Sequence, residues 1–137
     1  MSPVNRHSSL FVYGTLRRGG KRHDVLGQVG AVYVGKGSVA GELFDLGSFP
    51  GAIPTDLPAR VIGEVYRLPK LKPALKALDE YEGVGPGAVA ASLFRRELAE
   101  VALENGERLS AWIYWLDHAP RRARRIESGD YAGPRRS

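Results

Sequence analysis

Short apolar runs separated by glycine-rich breaks dominate the chain, and a clear helical period occurs once. Ser9–Tyr13 (SLFVY) is a continuous apolar run halted by Gly14, the pattern of a buried strand entering a turn. The following TLRRGGKRHDVL reads as a loop with paired glycines and a short helix near Asp24. Ala31–Asp45 mixes β-branched and aromatic residues with Gly35, Gly37 and Gly41. It predicts either two strands around a tight turn or one bent strand. Gly47–Pro58 is dense in glycine and proline and reads as loop. Val61–Leu68 (VIGEVYRL) reads as a strand. Ser92–Leu103 and Arg108–Asp117 read as a strand pair joined at Asn105-Gly106, a dipeptide favoured in tight hairpins.

The helical period runs from about Lys70 to Tyr81, where Leu71, Leu75 and Leu78 form one apolar stripe. Pro73 is tolerable only in the first turn, and Gly83 supplies a stop. One clear helix among five or six strands predicts an α+β fold, a small, mainly antiparallel sheet or barrel. Residues 1–8 read as a polar lead-in, 9–131 as a single domain and 132–137 as a basic tail. From Ala119 onward the chain is basic and predicts little regular structure.

Composition narrows the chemistry. A length of 137 residues suits one domain, and 43% hydrophobic with 26% charged residues argues against global disorder. The chain has no cysteine, which excludes a disulfide framework, a thiolate zinc site and a cysteine nucleophile. No apolar run approaches the roughly 18 residues that span a bilayer. MSPVNRHSSL lacks the apolar centre of a secretory signal, so a cytoplasmic protein without membrane partners is expected. The net charge of +5 invites an acidic partner, but six arginines against Glu127 and Asp130 place +4 of it in residues 120–137. Arg17, Arg18, Lys21 and Arg22 form a second basic group, offset by Asp24. No RNA-recognition motif accompanies either group, and both read as solvated charge rather than a nucleic-acid surface.

Two features carry candidate chemistry. Asp79, Glu80 and Glu82 crowd the C-terminal end of the predicted helix, where the macrodipole is already negative. Glu82 continues the stripe of Leu71, Leu75 and Leu78. Desolvation and dipole would both disfavour its charged form, which is the direction useful to a general base near neutral pH. The alternative is a solvated Glu82 beyond the last turn. The second feature is Tyr13-Gly14-Thr15-Leu16, a strand-end turn that permits close backbone approach and could aim N–H groups at an anion or oxyanion. It is equally compatible with a purely structural turn. The sequence contains no phosphate-binding loop, dinucleotide fingerprint or HExxH, and His7, His23 and His118 are too scattered for a metal site. Ser48 in LGSFPG lacks the context of a nucleophile elbow. Proton transfer by a carboxylate, without metal or cofactor, is the chemistry that remains.

The order LFVYGTLRRGG, GELFDLGSFPGAI, VIGEVYRL, LKALDEYEGV, LFRREL, AWIYWL and IESGDY resembles the γ-glutamylcyclotransferase-like family, in particular its AIG2-like and γ-glutamylamine cyclotransferase members. The resemblance implies a compact mixed barrel of mostly antiparallel strands with flanking helices. It implies a cofactor-free cyclotransferase that releases 5-oxoproline from a small γ-glutamyl substrate, with Glu82 as general acid/base. Tyr13, Gly14, Thr15 and Leu16 inherit the grip on the γ-glutamyl head group. Tyr114 and Trp112, alternating in AWIYW, either wall the cavity or pack in the core, and Phe49-Pro50-Gly51 is expected to shape a loop near the cleft. Arg95 or Arg96 either pairs with a substrate carboxylate or lies at the surface. Family members often carry Asn-His after the YGTL loop, whereas this chain has Arg22-His23. A non-catalytic binding protein of the same fold, or a nucleic-acid-associated protein acting through the arginine-rich segment, are the alternatives.

Overall fold

The computed structural model describes residues 8–20, 23–47, 49–82 and 93–131, with Tyr81 and Glu82 as backbone alone. The expected lead-in and basic tail therefore lie, apart from Ser8, outside the described residues. In chain order the elements are β1 (Ser9–Val12), α1 (Asp24–Gln28), β2 (Val32–Asp45), β3 (Pro50–Pro54), β4 (Arg60–Arg67), α2 (Leu71–Glu82), β5 (Phe94–Leu103), β6 (Arg108–Leu116) and β7 (Arg124–Ile126).

Strands β2, β4, β1, β6 and β5 neighbour one another in that order, and β5 returns to β2 to close a five-strand mixed barrel. Every pair in the ring is antiparallel except β1 with β6, which run parallel with Leu10 opposite Trp112. The closing seam is short: Gly37 faces Leu103 and Ser38 faces Ala102. A Cβ on Gly37 would lie 2.9 Å from the Ala102 carbonyl oxygen, so glycine is what lets the two backbones meet.

Ala31–Asp45 resolves into one bent strand, with the irregularity between Tyr33 and Gly35. Its second half runs past the barrel and takes β3 at Gly41–Asp45 and β7 at Leu43–Asp45. Two expectations need correction here. Gly47–Pro58 is not all loop, because β3 lies within it. Pro50 and Pro54 stand at the two ends of an edge strand, where a missing N–H costs no ladder bond. The segment beyond Ala119 is also more ordered than its composition predicts. β7 pairs with β2, and the Ile62 N–H donates to the Gly129 carbonyl at 2.7 Å. Three residues with two exposed arginines carry no periodic signal.

Alternation along the barrel strands divides the core in two. Phe11, Tyr13, Val39, Val61, Val65, Ile113 and Trp115 pack with one another in one cluster. Leu10, Val12, Tyr66, Tyr114 and Leu116 alternate with them in sequence and pack instead with Leu26 of α1 and Ala74, Leu75 and Leu78 of α2. Strands β1 and β6 are thus covered on both faces, which is why SLFVY and AWIYW read as unbroken apolar runs. The stripe on α2 packs as its spacing predicts, and Pro73 falls in the first turn.

Among the described residues, buried charge is concentrated at one point. Glu64 of β4 is only 8% exposed, and its Oε1 accepts hydrogen bonds from the Arg18 N–H at 3.0 Å and the Tyr66 hydroxyl at 2.9 Å. Arg17 lies alongside, with Nε 3.7 Å from Glu64 Oε2 and Nη1 donating to Asp130 Oδ1 at 2.7 Å. Arg17 is 6% exposed, so this member of the basic group is a buried ion-pair partner rather than solvated charge. The cluster pins the chain just after β1 to β4 and to the turn following β7.

Two outcomes follow from this packing. A Cβ at Gly63 would collide with the Val12 carbonyl oxygen and meet Phe11 Cζ at 2.6 Å. Gly63→Ala is expected to lower stability by about 1 to 3 kcal/mol, as overpacking does, measured by urea denaturation. Burial, and then the Glu64 hydrogen bond, push the Tyr66 phenol well above its ordinary value. The folded chain therefore holds that proton more tightly than the unfolded one. The resulting stabilisation is complete below about pH 10, where the unfolded phenol is also protonated, and is lost as the pH rises further. The gap in urea midpoint between wild type and Tyr66→Phe should narrow from about pH 9 to pH 11; a constant gap contradicts this.

Candidate functional site

The parallel pairing of β1 with β6 carries both strands to the same end of the barrel, where Tyr13 meets Tyr114. Tyr13 follows the last residue of β1. Its hydroxyl donates to the Tyr114 carbonyl at 2.6 Å and accepts the Ala52 N–H at 3.1 Å. One phenol therefore joins β1, β6 and β3.

Gly14 begins the turn, with its carbonyl accepting the Arg17 N–H at 3.0 Å. A side chain there would collide with the Pro50 ring, since a Cβ would lie 2.6 Å from Pro50 Cγ. The Phe49-Pro50-Gly51 segment thus abuts this turn, with Pro50 and Gly51 in β3 rather than in the expected loop. The Phe49 and Phe94 ring centroids lie 6.0 Å apart. Thr15 is partly exposed within the turn and Leu16 is buried. The Leu16 carbonyl lies 2.9 Å from His23 Nδ1; a carbonyl can only accept, so the ring carries its proton on Nδ1. His23 is therefore a brace for the turn, in the region where this chain lacks the expected asparagine.

The remaining predicted residue, Glu82, belongs to α2. The helix reaches Glu82, one residue beyond the predicted Tyr81, so Glu82 belongs to its last turn. The Glu82 side chain lies outside the described residues. Asp79, one turn earlier, accepts from Arg96 Nε at 2.7 Å and Nη2 at 3.0 Å, a two-pronged pair with β5. Its Oδ1 also accepts the Tyr114 hydroxyl at 2.7 Å. The Arg96 guanidinium sits 4.7 Å from the centre of the Trp112 ring. Its hydrogen bond to Asp79 raises the Arg96 pKa, so the cation is fixed opposite the negative helix end.

Tyr114 is 4% exposed and Trp112 is partly buried, both on the helix side of β6. Sequence reasoning placed Tyr13, Gly14 and Tyr114 near one site, and the structure brings them together. It did not identify the Asp79–Arg96 pair or the Arg17–Glu64–Asp130 cluster. The signal for the former was an acid at a helix terminus that calls for a cation. Choosing Arg96 as that cation needed the β5–β6 register, which sets Arg96 opposite Tyr114.

A separate cleft of about 470 Å³ lies where β5 diverges from β2, lined by Ser38, Arg60, Glu97, Glu100, Arg108 and Trp115 among others. It contains none of the predicted site residues. Its arginines are engaged, Arg60 with Ser38 and Arg108 with Glu100. Among the described residues, no three His, Asp or Glu side chains come together as a metal site, and no helix is long and apolar enough to cross a membrane.

The family model for gamma-glutamyl cyclotransferases of the AIG2-like type matches residues 10–133. A curated relative, the gamma-L-glutamyl-butirosin B gamma-glutamyl cyclotransferase of Niallia circulans, is 36% identical over 108 residues. That match covers 77% of this chain and 65% of the relative's length. Among solved structures, the aig2-like protein of Mus musculus aligns with a TM-score of 0.67 at 26% identity, covering 83% of this chain and 81% of that one. The protein ytfP from Escherichia coli gives 0.63 at 30% identity, covering 90% and 96%. YkqA from Bacillus subtilis gives 0.68 at 28% identity, covering 90% of this chain and 39% of its own. With its five-strand barrel, the helices α1 and α2 and a match over nearly all its length, the chain belongs to the gamma-glutamyl cyclotransferase, AIG2-like family.

Proposed function

We propose that this chain is a cofactor-free cyclotransferase acting on a γ-glutamyl amine or γ-glutamyl amino acid, with Glu82 as its general acid/base. The observation that carries the reading is the meeting of two elements at one barrel end. The turn from Tyr13 to Leu16 and the helix ending at Glu82 are joined there through Tyr114.

A γ-glutamyl amide contains both reactants. Its α-nitrogen is the nucleophile and its γ-carbonyl carbon the electrophile, and a five-membered ring forms when they meet. No second substrate and no water are consumed. The protein's task is to hold the folded conformer and move protons, which is where most of the rate advantage of such reactions lies. The Glu82 carboxylate takes a proton as the α-amine attacks. Backbone N–H groups of the Tyr13–Leu16 turn bind the α-carboxylate or the developing oxyanion. The C–N bond to the leaving group then breaks, and Glu82 returns its proton to the departing amine. The products are 5-oxoproline and a free amine or amino acid. Phe49, beside Pro50 at the turn, forms part of the cavity wall.

The test is direct. The purified protein is incubated separately with γ-glutamyl-ε-lysine, γ-glutamyl-alanine and glutathione, and 5-oxoproline is measured. At least one is expected to turn over. Glu82→Gln, which keeps the shape and removes the base, should be slower by about 100-fold or more. Equal activity in the variant refutes the role of Glu82. No turnover of any γ-glutamyl compound refutes the enzyme reading in favour of a binding protein of this fold.

A further inference from the structure

We infer that Asp79 and Tyr114 are positioning residues, a hydrogen-bonded tie that fixes the Glu82 end of α2 relative to the Tyr13–Leu16 turn. The inference rests on the cyclotransferase reading above. It assigns to Tyr114 a task other than walling the cavity.

The apolar stripe of α2 sets which face of the helix is buried, but such contacts are non-directional and tolerate small slides and rotations. Directional bonds remove that freedom. Asp79 supplies three of them to the sheet, two from Arg96 and one from the Tyr114 hydroxyl, all to an ionised carboxylate and all between 2.7 and 3.0 Å. Asp79 is three residues before Glu82 in the same helix, less than one turn from its last described residue. The bonds therefore act on the turn that bears the base, not on the distant start of the helix.

Tyr114 is held from both ends. Its side chain donates to Asp79, while its main-chain carbonyl accepts from the Tyr13 hydroxyl at 2.6 Å. The Tyr13 oxygen in turn accepts the Ala52 N–H. A continuous chain of hydrogen bonds thus runs from the helix end, across one residue of β6, to the residue that opens the turn and on to β3. Both ends of the substrate's reacting arc depend on that distance. Ring closure needs the head group held by the turn and its amine within reach of the carboxylate, and a misplacement of about 1 Å can cost on the order of 100-fold in rate. Loosening the tie leaves the turn's own contacts intact, so it should slow the chemical step more than it weakens binding.

Tyr114→Phe tests this because it deletes the hydroxyl bond to Asp79 and leaves the carbonyl bond to Tyr13. With the best γ-glutamyl substrate, kcat should fall by about 10- to 100-fold while KM changes by less than about threefold. The thermal midpoint and folded fraction are measured alongside. Asp79→Asn, which can still accept from Tyr114, should retain more activity than Asp79→Ala. Combining Tyr114→Phe with Asp79→Ala should slow kcat no further than Asp79→Ala alone. If Asp79→Ala does not fold, the Tyr114→Phe result decides. Wild-type kcat in Tyr114→Phe, a rise in KM alone, or a loss of activity matched by loss of folded protein overturns the positioning role and leaves Glu82 untouched. A wild type that turns over no γ-glutamyl compound overturns both.

Discussion

Closing five strands into a ring leaves β1 and β6 with apolar partners on both faces, and the rest of the molecule is arranged around that constraint. A strand buried on two sides has little water to satisfy its polar groups, so most polar atoms near its end find partners in the protein. At the end where β1 and β6 run out together, those partners are specific: the Tyr13 phenol serves two main-chain groups, and the Tyr114 phenol serves a carboxylate. The same requirement thus sets the relative positions of the turn and of α2.

Electrostatics follow the same rule on two sides of the turn. Asp79 would be ill placed at a negative helix end were Arg96 not opposite it, stacked over Trp112. Glu64 would be costly inside the sheet without a phenol, an N–H and the nearby Arg17 guanidinium. Both carboxylates are consumed by structure. Glu82, in the next turn of the same helix as Asp79, is the acid that the family resemblance assigns to chemistry.

Much of this was legible in the sequence because periodicity reports burial. The stripe Leu71, Leu75, Leu78 specified a helix and its buried face, and the continuous runs SLFVY and AWIYW specified central strands. β3 was illegible because its prolines look like loop residues and are tolerated only through its position at an edge. β7 is too short to carry a period. Arg17 looked like surface charge because its neighbours in sequence are basic, while its partners Glu64 and Asp130 come from β4 and from the turn after β7. Local patterns encode faces and turns; they do not encode which distant side chain will face a given charge.

The Arg17–Asp130 pair spans 113 positions, and Tyr13 reaches Tyr114 across 101. Such contacts close long loops, whose closure entropy must be met before the contacts reward it. During synthesis, the turn after β1 emerges early, and Arg17 has Glu64 alone as a counter-charge until the segment after β7 has been made. A nascent chain truncated before Asp130 would carry the YGTL turn without the anchor that fixes it.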